Sequence, residues 1–270
     1  SLTVWDIRQV EAAAVAATRA GKKARLHLKV DTGMGRIGVQ PAKAVDIASR
    51  MVKTASVMFE GIFTHFARAD EQDPEPTEAQ EIRFQNVLAD LTAAGLRPPV
   101  AHAANSAAML TRTTSHFDLV RIGIAMYGLH PSRDCLLPEG FLPVLSWKTQ
   151  LGQIMQIPAG RGVSYGHDYV TTGEERIGSL SVGYGDGFKR VDVNVVLVGD
   201  RQVSVVGRVC MDQTLVQLDD VPDTHEGDVA VLIGNQGEGH ITTQELADRW
   251  GTINYEVVCG IASRVPRVYV

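Results

Sequence analysis

Over the first 125 residues, helical periodicity alternates with short apolar strand patterns, and each strand pattern runs into residues able to do polar chemistry. Residues 3–20 are Ala-rich with helical spacing and stop at Gly21. Residues 24–30 read as a strand, with Leu26, Leu28 and Val30 on one side and His27, Lys29 and Asp31 on the other. A helix is expected over 41–53, opening on Pro41, and a strand over 59–66. A helix over 77–94 ends at Gly95, and strands are expected at 100–105 and 119–124 around a short helix near 106–112. Strands and helices alternating at this spacing build parallel βαβ units. The polar strand ends are Lys29 with Asp31-Thr32-Gly33, then Thr64-His65, Asn105-Ser106, and Arg121 with Gly123. In parallel α/β barrels the active site lies at the carboxyl ends of the strands. Taken singly, such residues cap helices and form turns. Taken together they point to a site, because Lys29 and Arg121 interrupt apolar runs and a cation inside a strand needs a partner or a ligand. Four strands do not close a barrel, which takes eight units and about 250 residues.

From about residue 140 the texture changes. A connector bearing Pro, Gly and Cys leads into β-rich segments at 144–157, 176–182, 194–198, 202–218 and 228–233, separated by short turns such as Gly199-Asp200. One helix, 243–250, interrupts them, and residues 257–270 close the chain. The reading is an α/β domain over 1–140 followed by a mostly-β domain over 141–270, with no repeats.

With 26 Lys+Arg against 31 Asp+Glu and a net charge of −5, nothing favours a nucleic acid or an anionic membrane as partner. No apolar run approaches the ~20 residues of a membrane span, and no basic-then-apolar leader opens the chain. Cys135, Cys210 and Cys259 are odd in number and never in C-x-x-C spacing, which suits reduced thiols in a cytoplasmic protein and no metal site.

The run Leu28-Lys29-Val30-Asp31-Thr32-Gly33-Met34-Gly35-Arg36-Ile37-Gly38 resembles the signature of bacterial alanine racemases. The likeness continues through Thr64-His65-Phe66-Ala67, Asn105-Ser106, residues 121–128 (RIGIAMYG), 163–166 (VSYG) and 182–187 (VGYGDG). It ends with residues 207–213 (GRVCMDQ), Asn254-Tyr255-Glu256 and Arg264-Val265-Pro266-Arg267, in family order along essentially the whole chain. The resemblance implies a pyridoxal-phosphate-binding TIM-like α/β barrel, a C-terminal β domain, and a homodimer whose active sites are shared between subunits. It implies interconversion of L- and D-alanine, supplying D-alanine for peptidoglycan. One departure stands out. The family's cofactor lysine sits early in the barrel in a Val-Lys-Ala-Asn-Ala-Tyr-Gly-like segment, and none of Lys22, Lys23, Lys29, Lys43, Lys53, Lys148 and Lys189 has that context. The chain is therefore expected to carry only the C-terminal half of the barrel, and the isolated 270 residues to be inactive.

Residue by residue, the resemblance makes Tyr165 one of two catalytic bases, reaching into the partner's site; spacing alone would leave it a packed aromatic in a Gly-rich turn. Arg121 is expected on the pyridine nitrogen and His65 beside Arg121, the bland alternatives being a structural ion pair and a core histidine. Ser106 with the backbone N–H groups of Gly123 and Ile124 fits a phosphate cradle, with Asn105 as support or simply a turn residue, and Tyr255 reaching the phosphate from the second domain. Lys29 matches a lysine carbamylated in many members, which would orient Arg36 toward the substrate carboxylate; an unmodified Lys29 paired with Asp31 is the alternative. Met211 would offer its backbone N–H to the same carboxylate, and Tyr184 and Asp212 would line the entrance. A racemase for serine or another small amino acid, or a non-catalytic truncated module of the same fold, is the competing reading.

Overall fold

Alternation in the 24–30 segment has its expected consequence: Leu26, Leu28 and Val30 are fully buried, while Arg25 and His27 between them are not. The computed structural model describes residues 1–270 and divides into two units, Ser1–Leu142 and Pro143–Val270. The first unit runs β1 (Leu2–Val4), α1 (Ile7–Arg19), β2 (Ala24–Lys29), α2 (Ala44–Lys53), β3 (Val57–Phe63), α3 (Glu75–Ala93), β4 (Val100–His102) and α4 (Ser106–Thr111). Its strands form one parallel sheet in the order β1-β2-β3-β4. This sheet is open at both edges and does not close into a barrel.

One face of the sheet is apolar. Leu26, Leu28, Ile62 and Ala101 pack there with Met51, Phe84 and Leu91 from the helices, all fully buried. Phe84, edge-on to Phe117 with ring centroids 5.4 Å apart, sits at 0 % exposure. Phe84→Ala should therefore cost about 3–5 kcal/mol, read as a lower midpoint in urea unfolding. The other face carries Arg25, His27, Lys29, Glu60, Phe63 and His102. A β-bulge sets this division: Leu26 pairs with Phe59 but His27 with Gly61, so Glu60 is the extra residue.

Two expectations for this unit fail for visible reasons. Residues 2–4 form β1, although Thr3 and Val4 are expected to open a helix, because Asp6 caps α1 by accepting the Arg8 N–H at 2.7 Å. The expected strand over 119–124 reduces to a single parallel bridge, His102 to Leu119. The ladder does not propagate beyond it: the Arg121 N–H goes to the Ala104 carbonyl at 3.0 Å, and the Ala103 carbonyl is taken by the Arg121 guanidinium at 2.8 Å.

The second unit is mostly antiparallel: β5 (Trp147–Ile157), β6 (Gly162–Val163), β7 (Tyr169–Val170), β8 (Glu175–Leu180), β9 (Val195–Val198), β10 (Arg201–Ser204), β11 (Thr214–Gln217), β12 (Val229–Gln236) and β13 (Gly239–Ile241), then α5 (Thr243–Trp250) and α6 (Asn254–Gly260). The main sheet runs β10-β9-β12-β5-β8-β11, with β13 beside β12, and β6 and β7 form a separate hairpin. Trp147, Phe188 and Trp250 meet edge-on in its core. The β stretch expected over 202–218 is broken in two. β10 pairs with β9 and β11 with β8, and the two halves meet at an antiparallel bridge between Val205 and Val216, with the Val206 N–H on the Leu215 carbonyl at 2.8 Å, so residues 207–213 form the loop of a hairpin. That loop carries the 207–213 motif. All three cysteines are free thiols, and no helix is long and apolar enough to cross a membrane.

Candidate active site

At the carboxyl ends of β2–β4, Arg121 gathers the polar strand ends around one guanidinium. Nη1 lies 2.7 Å from His102 Nδ1, and Nη2 donates to the carbonyls of Ala103 (2.8 Å) and Thr64 (3.0 Å) and approaches His65 Nδ1 at 3.3 Å. Burial lowers its pKa to about 10, so it stays cationic at neutral pH. Phe63 is its floor: Arg121 Cζ is 5.2 Å from the ring centroid and Lys29 Nζ 5.8 Å. Lys29 is 3 % exposed and its pKa is lowered, by burial first and then by Arg36. It forms no ion pair with Asp31, whose carboxylate instead takes the N–H groups of Gly33, Met34 and Gly35 at 2.9–3.1 Å. Although burial pushes the Asp31 carboxyl up, those N–H bonds leave it below its ordinary value. Arg36 is exposed on the same loop. This end of the sheet is rich in cations and donors, with its one nearby carboxylate already spent on the loop.

His65 is lowered to about 4 by burial and then by Arg121, Arg36 and Lys29; His102 falls to about 3 by burial and then by Arg121. Both lie below the unfolded value of 6.5, so as pH falls through 6.5 the unfolded chain takes up protons that the folded one refuses. The stability held above pH 6.5 is thus lost progressively on acidification toward pH 4. In NMR titrations the His65 and His102 ring resonances should stay unmoved from pH 8 to 5; a midpoint near 6.5 for either would contradict this burial.

Ser106, 4 % exposed, accepts the Gly123 N–H at 2.8 Å and more weakly that of Ala125 at 3.4 Å, which brings two of the expected cradle residues side by side. With its oxygen accepting, the Ser106 hydroxyl hydrogen is left to donate. Ile124 follows Gly123 at the start of a short 3-10 turn. Asn105 caps α4, its Oδ1 taking the Ala108 N–H at 3.0 Å, which is the turn role.

In the second unit Tyr165 stands 71 % exposed on a turn that is strained on both sides. Ser164 has φ 63 and ψ −170, a region nearly reserved for glycine, and Gly166 and His167 also have positive φ. The 207–213 loop holds this turn: Ser164 Oγ donates to the Arg208 carbonyl at 2.6 Å, and Arg208 pairs with Asp168. A Cβ at Gly166 would fall 2.7 Å from Arg208 Cζ. A cleft of about 890 Å³ opens beside it, lined by Tyr165, Tyr184, Arg190, Cys210, Met211 and Asp212 among others. Met211 is half-exposed, its carbonyl taking the Gly185 N–H at 2.9 Å. Arg264 ties Asp212 and Asp186 together, at 2.7 Å each. Tyr255 lies on α6, 37 % exposed. No three His, Cys, Asp or Glu side chains gather as a metal site would require.

The profile described as "Alanine racemase, N-terminal domain" matches residues 1–131, and "Alanine racemase, C-terminal domain" matches residues 144–269. The chain belongs to the alanine racemase family. It is 44 % identical to an alanine racemase of Halothermothrix orenii over 91 % of this chain and 65 % of that protein. It is 47 % identical to one of Symbiobacterium thermophilum, over 93 % and 67 % respectively. The chain thus spans about two thirds of the length of these curated relatives. Among solved structures, the alanine racemase of Bacillus anthracis with bound L-Ala-P matches with a TM-score of 0.93 at 37 % identity, over 99 % of this chain and 70 % of that one. The fold is therefore that of an alanine racemase, an N-terminal barrel-type domain and a C-terminal β domain.

Motif reading in this family picks out Arg121, His65, Lys29 and Ser106, but it passes over His102, His27 and Glu60. His27 had a signal, since it shares the polar side of its strand with Lys29. His102 and Glu60 had none, because their partners are 19 to 75 residues distant. Arg208 likewise gains meaning only from the strained turn that it faces.

Proposed function

We propose that this chain provides the alanine-racemising site of its family, interconverting L- and D-alanine with pyridoxal 5'-phosphate as cofactor. The observation that carries the reading is the Arg121 cluster: an always-charged donor held at strand ends by two carbonyls and two imidazole nitrogens, with no carboxylate on it. Such a donor-rich, acid-poor site suits a cofactor bearing a phosphate, a phenolate and an acceptor ring nitrogen. When bound, pyridoxal phosphate draws electron density away from the substrate Cα.

The residues divide the remaining work. Arg121 would hold the ring nitrogen as an acceptor, its guanidinium being unable to give up a proton near neutral pH. Ser106, Gly123 and Ile124, with Tyr255, would hold the phosphate. Arg36 and the Met211 N–H would take the substrate carboxylate, with Lys29, carbamylated, orienting Arg36. Because His65 Nδ1 accepts from Arg121, its hydrogen sits on Nε2, free to donate to the Tyr165 phenol oxygen and lower the cost of its losing a proton. Tyr165 would then accept or deliver the Cα proton on one face. A lysine in a context that none of this chain's seven lysines has would act on the other. Tyr165 would serve the site of a second copy, making a homodimer with shared sites, and Tyr184 and Asp212 would line its entrance. The open sheet is read as the C-terminal half of the family barrel, and residues 1–140 and 141–270 as its two domains. D-alanine for peptidoglycan is the matching cellular product.

Relatives named alanine racemase, one of them solved with bound L-Ala-P and another in complex with cycloserine, favour alanine over serine and over a non-catalytic role. The test is chiral chromatography after incubating the natural protein that contains this sequence with pyridoxal phosphate and L-alanine. D-alanine should accumulate toward an equal mixture. Cofactor uptake with the enantiomers left unmixed would overturn the assignment.

A further inference from the structure

We propose that Arg121, His102, His27 and Glu60 form a one-way hydrogen-bond chain that fixes the tautomers of both imidazoles and holds Arg121 in place as a donor. His102, His27 and Glu60 are then positioning residues; their bearing on the cofactor ring rests on the function proposed above, but the chain itself does not.

The direction follows from one constraint. A guanidinium only donates, so His102 Nδ1, 2.7 Å from Arg121 Nη1, must be bare. The neutral ring then carries its hydrogen on Nε2, which points at His27 Nδ1 across 2.9 Å. His27 Nδ1 must accept, so its hydrogen sits on Nε2, which faces Glu60 Oε2 at 3.2 Å. Every link donates outward toward the carboxylate. A proton added to either Nδ1 would set two donors against each other.

The sheet is built around this chain. The bulge in β3 turns Glu60 onto the polar face beside His27. Gly61 leaves the floor open: a Cβ there would lie 2.4 Å from the His27 ring, so only glycine lets His27 on β2 reach over β3 to His102 on β4. Phe63 stacks on His102 with centroids 4.7 Å apart and planes 6° from parallel. The charged groups facing the chain are Arg121 at one end and Arg25 at the other, with Lys29 across Phe63. Arg25 and then the Ser1 hydroxyl hold the Glu60 carboxyl down at about 2, so the terminal acceptor is anionic at any working pH. Burial and then Arg121 keep His102 neutral.

The arrangement has a physical logic. A carboxylate directly on Arg121 would hold the guanidinium in an ion pair of its own. An imidazole acceptor fixes its position and leaves its charge for the ring nitrogen, while the balancing carboxylate stands two rings away.

The test is long-range proton–nitrogen correlation on protein labelled with [15N]histidine. At pH 8 His27 and His102 should each show one bare Nδ1 and one protonated Nε2. Glu60→Gln retains an acceptor oxygen and should keep this pattern. Glu60→Leu and Gly61→Ala should each convert His27 to a tautomer mixture. In the holoenzyme Glu60→Leu should lower kcat by roughly tenfold with little change in the alanine KM, as outer partners of functional histidines do, and Glu60→Gln should restore it. A protonated His102, an Nδ1–H tautomer in either ring, or a Glu60→Leu spectrum identical to wild type would overturn the proposal. If Glu60→Leu fails to fold, the wild-type and Glu60→Gln spectra still decide. Spectra as expected in a protein that does not racemise alanine would sink the function and leave the chain standing.

Discussion

Tyr165→Phe should slow proton transfer from L-alanine by at least ~10²-fold, the lower end for a positioned acid–base group. The change removes one oxygen and little else. Tyr165 is 71 % exposed and its turn is held through Ser164, Gly166 and Arg208, so the substitution should leave stability untouched. The loss should also be direction-dependent, because a two-base site uses a different group on each face of Cα. Following racemisation by circular dichroism from each pure enantiomer, with solvent deuterium incorporation as a second readout, separates the two directions. An unchanged rate from L-alanine would remove Tyr165 from the mechanism. Equal loss of rate and of thermal stability would make it a structural residue instead.

Arg121→Lys conserves charge and should nevertheless fail twice. The guanidinium meets four acceptors at 2.7–3.3 Å, and a single ammonium on a flexible stem cannot span them. Leaving the carbonyls of Thr64 and Ala103 without their donor should cost at least about 2 kcal/mol, measured as a lower urea midpoint. The kinetic loss should be larger, with kcat/KM down by ~10²-fold or more, as when a preorganised donor is removed from a site of developing charge. The same variant should scramble the His102 tautomer, since an ammonium that falls short of Nδ1 no longer forces it to accept. Wild-type stability and kinetics in Arg121→Lys would show that the cluster is neither a structural clasp nor a catalytic one.

Much of this architecture is legible in sequence because it is local. Period-two burial marks β2, and a capping box at Thr242 and Glu245 marks the start of α5. What was misread turns on competition for individual backbone groups. Residues 2–4 carry an Ala-rich helix's prelude but are claimed by the edge of β2, and the Arg121 side chain takes the Ala103 carbonyl that a fifth strand would need. The 202–218 stretch has strand composition throughout, yet it doubles back as a hairpin, with Val205 bridged to Val216 and residues 207–213 as its loop.

The site divides in the same way. The sequence by itself determined the family and singled out Arg121, His65, Lys29, Tyr165 and Met211 as candidates, because chemistry of this kind needs particular residue types in a particular order along the chain. Only the tertiary structure decided what holds them. That Asn105 is a helix cap, that Asp31 serves its own loop and not Lys29, and that Arg208 pins the Tyr165 turn are facts of distance. So is the line from Arg121 to Glu60, which crosses three strands and exists because one bulge and one glycine clear its path. Hydrogen bonds act over about 3 Å whatever the separation in sequence, so the partners of a buried cation become visible only once the chain has folded.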